Sequence, residues 1–122
     1  MVTKAELYLL ALQELEKTTG NIEMSALVTR DGLIMSCTSA NNILRETCAA
    51  YGAATFMRAN DTMEELAHEK INILIYESGN HRVVTLRVAD ALLVALTGKD
   101  VQMGIVLLEI QKTAQKLKEL MT

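Results

Sequence analysis

Between Ile71 and Leu108 the chain passes through three apolar stretches joined by connections too short for anything but tight turns, and then enters a helix. Ile71 to Glu77 is rich in β-branched residues, Ser78-Gly79-Asn80 turns it, and His81 to Val88 returns. Ala89-Asp90 leads into Ala91 to Thr97, and Gly98-Lys99-Asp100 follows. Short connections rich in Gly, Asn and Asp are those of antiparallel hairpins. A parallel crossover needs about a dozen residues or more, so these strands form an antiparallel meander. The rest of the chain has two sheet faces to cover.

Upstream, Thr3-Lys4-Ala5-Glu6 fits a capping box. The helix it starts carries Leu7, Leu10 and Ala11 on one side, with Tyr8, Leu12 and Leu15 adjoining, and Gly20 is a stop signal. Met24 to Thr29 reads as a strand, Asp31-Gly32 as a hairpin turn, and Leu33 to Cys37 as the returning strand. Thr38 to Asn42 supplies candidate N-caps for the next helix.

That helix runs from Ile43 to about Glu69 with no breaker except Gly52, roughly 40 Å at about 1.5 Å per residue. Ala49, Ala53, Phe56, Met57, Asn60 and Met63 form one stripe, and Cys48, Gly52, Thr55 and Ala59 form a neighbouring stripe of small residues. Charges gather toward the ends, in Arg45, Glu46, Arg58, Glu64, Glu65 and Glu69, so the middle reads as buried on two sides. One copy of the chain has no element left for the second side, which implies a second copy. The strand Ile71 to Glu77 points the same way. It carries no Lys, Pro or Gly to protect an exposed edge. The expected interface is therefore Ala49, Ala53, Phe56, Met57, Asn60 and Met63 with Ile71, Ile73, Leu74 and Ile75, burying on the order of 2,000 Å².

The last helix is expected to start with Asp100 as its N-cap. Met103, Val106, Leu107, Ile110, Ala114, Leu117 and Met121 recur at helical spacing, and Gly104 reads as a point of close approach to the sheet. The element order is α-β-β-α-β-β-β-α: an α+β fold with a five-stranded antiparallel sheet, helices on both faces, and one domain over residues 1–122.

Composition narrows the function. Half of the 122 residues are hydrophobic and only 3% aromatic, so the core is aliphatic. A net charge of −3 gives no basic field for nucleic acid. Cys37 and Cys48 are too few for a disulfide scaffold and fit a reducing, cytoplasmic compartment. No apolar run is long enough to insert in a membrane.

The pattern Ala26-Leu27-Val28-Thr29-Arg30-Asp31-Gly32-Leu33-Ile34, the Ala-rich central helix, Arg87-Val88-Ala89-Asp90-Ala91-Leu92-Leu93 and Val101-Gln102-Met103-Gly104-Ile105-Val106 together resemble the roadblock family, named for a dynein light chain. The full C-terminal helix is similar to prokaryotic members and to the roadblock subunits of the Ragulator scaffold. The resemblance implies a roadblock/profilin-like fold and a homodimer, or a heterodimer with another roadblock protein. In it, third strands pair edge to edge and central helices lie side by side. It also implies a non-catalytic module that binds, scaffolds or regulates a small Ras-like GTPase; one bacterial branch activates a polarity GTPase. The alternative is a purely structural dimeric subunit with no nucleotide-linked partner. Arg58, Glu64 and Glu65 on the central helix are the expected partner-binding residues.

The residues offer no catalytic, cofactor or metal constellation. There is no GxxxxGK[ST] loop to cradle phosphates. Glu64, Glu65, His68 and Glu69 could be arranged as metal ligands but read better as a solvated helix end. Arg30, Arg82 and Arg87 fall in or beside strands rather than on the exposed loop an arginine finger needs.

Overall fold

The computed structural model describes residues 1–122. Three helices and five strands follow in the expected order: α1 Lys4–Thr19, β1 Ile22–Thr29, β2 Ile34–Cys37, α2 Asn42–Ala67, β3 Ile73–Glu77, β4 His81–Val88, β5 Ala91–Gly98 and α3 Met103–Met121. The strands form one antiparallel sheet in the order β2-β1-β5-β4-β3. β3 and β2 are its two edges.

Strand alternation divides the core into two layers. Leu27, Val84, Leu86, Leu93 and Ala95 point to the face carrying α1 and α3, where they meet Leu12, Leu15, Val106, Ile110 and Leu117. Met24, Ala26, Val28, Leu92 and Val94 point to the other face and pack on Ala49, Ala53 and Phe56 of α2. The buried Ser25 hydroxyl donates to the Glu16 carboxylate at 2.6 Å and fixes α1 on β1.

Thr3 caps α1 by accepting from the Glu6 N–H at 3.2 Å, and Asn41 caps α2 by accepting from Leu44. Two expectations about the helices are corrected. The apolar face of α1 is Tyr8, Ala11, Leu12 and Leu15, while Leu10 is exposed. α3 starts later than expected, with Gln102 and not Asp100 at its N-cap and no side-chain cap bond. Asp100 instead lies 3.4 Å from the Asn21 amide, in the connection leaving β5.

Gly104 is also corrected. A Cβ there would meet nothing within 4 Å, so this glycine permits no close approach. The helix glycine that does is Gly52, whose Cβ would stand 3.2 Å from Cγ2 of Val94 on β5. No helix is long and apolar enough to cross a membrane.

Candidate functional site

The site is built from what α2 leaves uncovered. α2 lies over β2, β1 and β5. Ala49, Ala53 and Phe56 are fully covered by that sheet, so the inference that they await a second copy is corrected. Helical geometry puts a second stripe roughly a third of a turn away from that buried face. It comprises Leu44, Cys48, Tyr51, Thr55, Ala59, Thr62 and Leu66. Tyr51 is 70% exposed and Leu66 79%.

Across from this stripe lies the sheet beyond β5. Leu74, Val83 and Leu96 are only partly buried there, and Tyr76 is exposed. Between helix and strands runs an apolar groove. One stretch, about 230 Å³, is lined by Leu44, Cys48, Tyr51, Tyr76, Val83 and Leu96 among others. Further along, Thr55, Arg58, Ala59 and Thr62 of α2 face Leu74. Burial pushes the Cys48 thiol up to about 11, with nearby Cys37 adding to the shift. Burial also raises the Tyr76 phenol above its ordinary range.

The edge itself is open. At one end of the β3–β4 ladder Ser78 donates its N–H to the His81 carbonyl at 2.9 Å. At the other, the Asn72 carbonyl accepts from the Arg87 N–H at 3.2 Å. Because such bonds alternate along an antiparallel strand, the amides of Leu74 and Tyr76 point into the sheet. Those of Ile73, Ile75 and Glu77 point out of it. Ile73 and Ile75 have their side chains on the α3 face, where Ile73 packs against the core and Ile75 is exposed.

Two arginines of β4 hold this strand. Arg87 sits 5.4 Å from the centroid of the Phe56 ring and donates to Oδ1 of Asn60 at 3.2 Å. The same buried Asn60 oxygen accepts the Ile71 N–H at 3.0 Å. Asn60 and Ile71 therefore belong to an internal junction and not to an exposed face, and Ile71 precedes β3 instead of starting it. At the other end Arg82 grips the Glu77 carboxylate at 2.6 and 2.9 Å and donates to the Val101 carbonyl at 3.2 Å.

Of the remaining residues singled out from the sequence, Met57 is partly buried against the α2 core and Met63 is 39% exposed. Arg58, Glu64 and Glu65 are all exposed on α2. Arg58 lines the groove, whereas Glu64 and Glu65 stand with His68 and Glu69 at the helix end. No group of three or more His, Cys, Asp or Glu side chains is placed to hold a metal ion. Sequence reasoning missed Leu44, Tyr51 and Leu66. With Thr62 they extend the small-residue stripe of Cys48, Thr55 and Ala59 at three- and four-residue steps, a continuity masked in the sequence by the charged and polar residues between them.

A five-stranded antiparallel sheet with one long helix on one face and two on the other, open along its third strand, defines the roadblock class of α/β modules. The sequence pattern of the Roadblock/LC7 domain matches residues 7–97, and the chain belongs to that family. It is 27% identical over 107 residues to an uncharacterised protein of Methanocaldococcus jannaschii, covering 88% of this chain and 93% of the relative. The Roadblock/LC7 domain from Streptomyces avermitilis superimposes with a TM-score of 0.88 at 14% identity, covering 93% of this chain and 98% of that one. Myxococcus xanthus MglB gives 0.87 at 15% identity, covering 99% and 92%.

Proposed function

We propose that this chain is a non-catalytic dimeric module that binds a small Ras-like GTPase and scaffolds or regulates it. The observation that carries the dimer is the conjunction at β3: outward amides on Ile73, Ile75 and Glu77 beside an apolar groove that the chain does not fill. A two-fold partner satisfies both, because strand pairing brings its α2 over the same groove. The contact then consists of Leu44, Cys48, Tyr51, Thr55, Ala59, Thr62 and Leu66 with Leu74 and Tyr76, and it replaces the stripe centred on Ala53 and Phe56.

Pairing consumes the groove and leaves the outer surfaces of two α2 helices side by side as a platform. Arg58, Glu64 and Glu65 are exposed on that helix. The GTPase partner is supported by membership of the Roadblock/LC7 family and by the functions that the resemblance implies. On this reading the nucleotide is held by the partner, since the chain carries no GxxxxGK[ST] loop to cradle phosphates.

The test is capture of Ras-like GTPases from the native cell on the immobilised dimer, repeated with the recovered GTPase loaded with GDP or with a non-hydrolysable GTP analogue. Regulation predicts a preference for one state of at least about tenfold, or roughly 1.4 kcal/mol. Capture without state dependence supports scaffolding alone. Recovery of large-complex subunits with no GTPase would establish a purely structural role instead.

A further inference from the structure

The β3 edge is anchored at both ends by side chains that reach it from inside the fold. At its start, Asn60 of α2 takes the Ile71 N–H at 3.0 Å, and Arg87 holds the same oxygen at 3.2 Å and the Ile71 carbonyl at 3.4 Å. At its end, Arg82, only 9% exposed, uses three of its donors on Glu77 and on Val101 at the entry to α3. Both arginines sit on β4 five positions apart, on opposite faces of the sheet. One ties β3 to α2 and the other ties it to the chain entering α3.

Backbone hydrogen bonds between β3 and β4 are made without either arginine side chain. What the arginines add is restraint on a strand that has neighbours on one side only, and edge strands otherwise fray. Ordering a frayed strand at the moment of association lowers affinity, whereas a strand already ordered avoids that loss.

We infer that Arg82 and Arg87 are positioning residues that hold β3 rigid and ready to pair with the edge of a second copy. This rests on the dimer reading above. Arg87 and Asn60 also set the separation of α2 from β3, and so the width of the groove that receives the partner helix. Arg82 spreads Nε and both terminal nitrogens of its planar guanidinium over its two acceptors. Arg87 reaches both of its acceptors from one terminal nitrogen, with the guanidinium over the Phe56 ring. A lysine gathers its three donors on one atom at the end of a flexible stem, so it cannot reproduce the spread of contacts made by Arg82 or the stacking of Arg87 on Phe56.

Residue-resolved amide exchange separates the two ideas. The amides of Ile73, Ile75 and Glu77 report pairing with a second copy, and those of Leu74 and Tyr76 report the strand's hold on β4. The variants are Arg82→Met and Arg87→Met, which keep most of the apolar stem, with the two lysine replacements as intermediates. The expected result is a loss of protection at Leu74 and Tyr76 of tenfold or more, with Leu27 and Leu93 in β1 and β5 unchanged. Dimer dissociation constants should rise by at least tenfold, lysine falling between wild type and methionine. Unchanged protection at Leu74 and Tyr76, or an equal loss across all five strands, overturns the inference. Unprotected Ile73, Ile75 and Glu77 in the wild-type chain at high concentration overturn the dimer reading instead, and Leu74 and Tyr76 then still decide whether the clamp exists.

Discussion

Val94 and Gly52 face each other so closely that a Cβ on the glycine would stand 3.2 Å from the valine methyl, while Gly104 has open space around its Cα. The two therefore respond oppositely to substitution. Gly52→Leu forces α2 off β5 and is expected to cost about 1–3 kcal/mol through overpacking. Gly104→Ala removes a poor helix former from the first turn of α3 and is expected to stabilise by up to about 1 kcal/mol. Thermal denaturation of the two variants checks both signs. From sequence each is a lone glycine in a helix. Periodicity gives the angle of a residue around its own axis, and only the packed sheet shows which angle is crowded.

Cys48 carries a pH signature. Its thiol is neutral in the fold up to about 11, against an ordinary value of 9.0. Above that ordinary value the unfolded chain loses this proton while the folded chain keeps it, so stability falls as pH rises from about 9 to about 11. Below pH 9 the term is absent. Urea melts at neutral pH and near pH 10.5 should show a decline that Cys48→Ala reduces, and an identical decline in the variant would mean another group causes it.

At the scale of elements, the turns made most of the fold legible. Asp31-Gly32, Ser78-Gly79-Asn80 and Ala89-Asp90 fixed the hairpins, and Thr3, Gly20 and Asn41 marked helix ends through capping chemistry. Asp100 misled because a good capping residue was used by a loop, with Asn21 as its neighbour. The site was half legible. The missing Lys, Pro and Gly in β3 exposed the unprotected edge, but the open flank of α2 depends on where the helix crosses the sheet, which no local pattern states. The strand register now distinguishes two prolines. Ile75→Pro removes an outward N–H and should abolish pairing while leaving the fold intact, and Leu74→Pro removes a bond to β4 and should lower the melting temperature sharply. Circular dichroism melts and sedimentation on the pair decide this, and two equally unstable variants would refute the register.

At the scale of the whole molecule, the chain resolves into a covered half and an uncovered one. α1 and α3 close one face, α2 closes part of the other, and the strip over β3 and β4 is left open, the place the proposed second copy would fill. Arg58 lines that strip and in the proposed dimer would also border the outer platform, so its reversal to Glu should weaken dimer and partner binding together. Glu64→Lys with Glu65→Lys should affect the partner alone. Titration of the recovered GTPase against both variants, with dimer mass monitored in parallel, tests the division, and equal effects on the dimer would remove it.

The most direct test of the central claim is sedimentation velocity of the wild-type chain and of Ile75→Pro at low micromolar concentration. The account predicts a species of twice the chain mass for the wild type and a folded species of single mass for the variant. A stable, folded wild-type monomer at that concentration would contradict it.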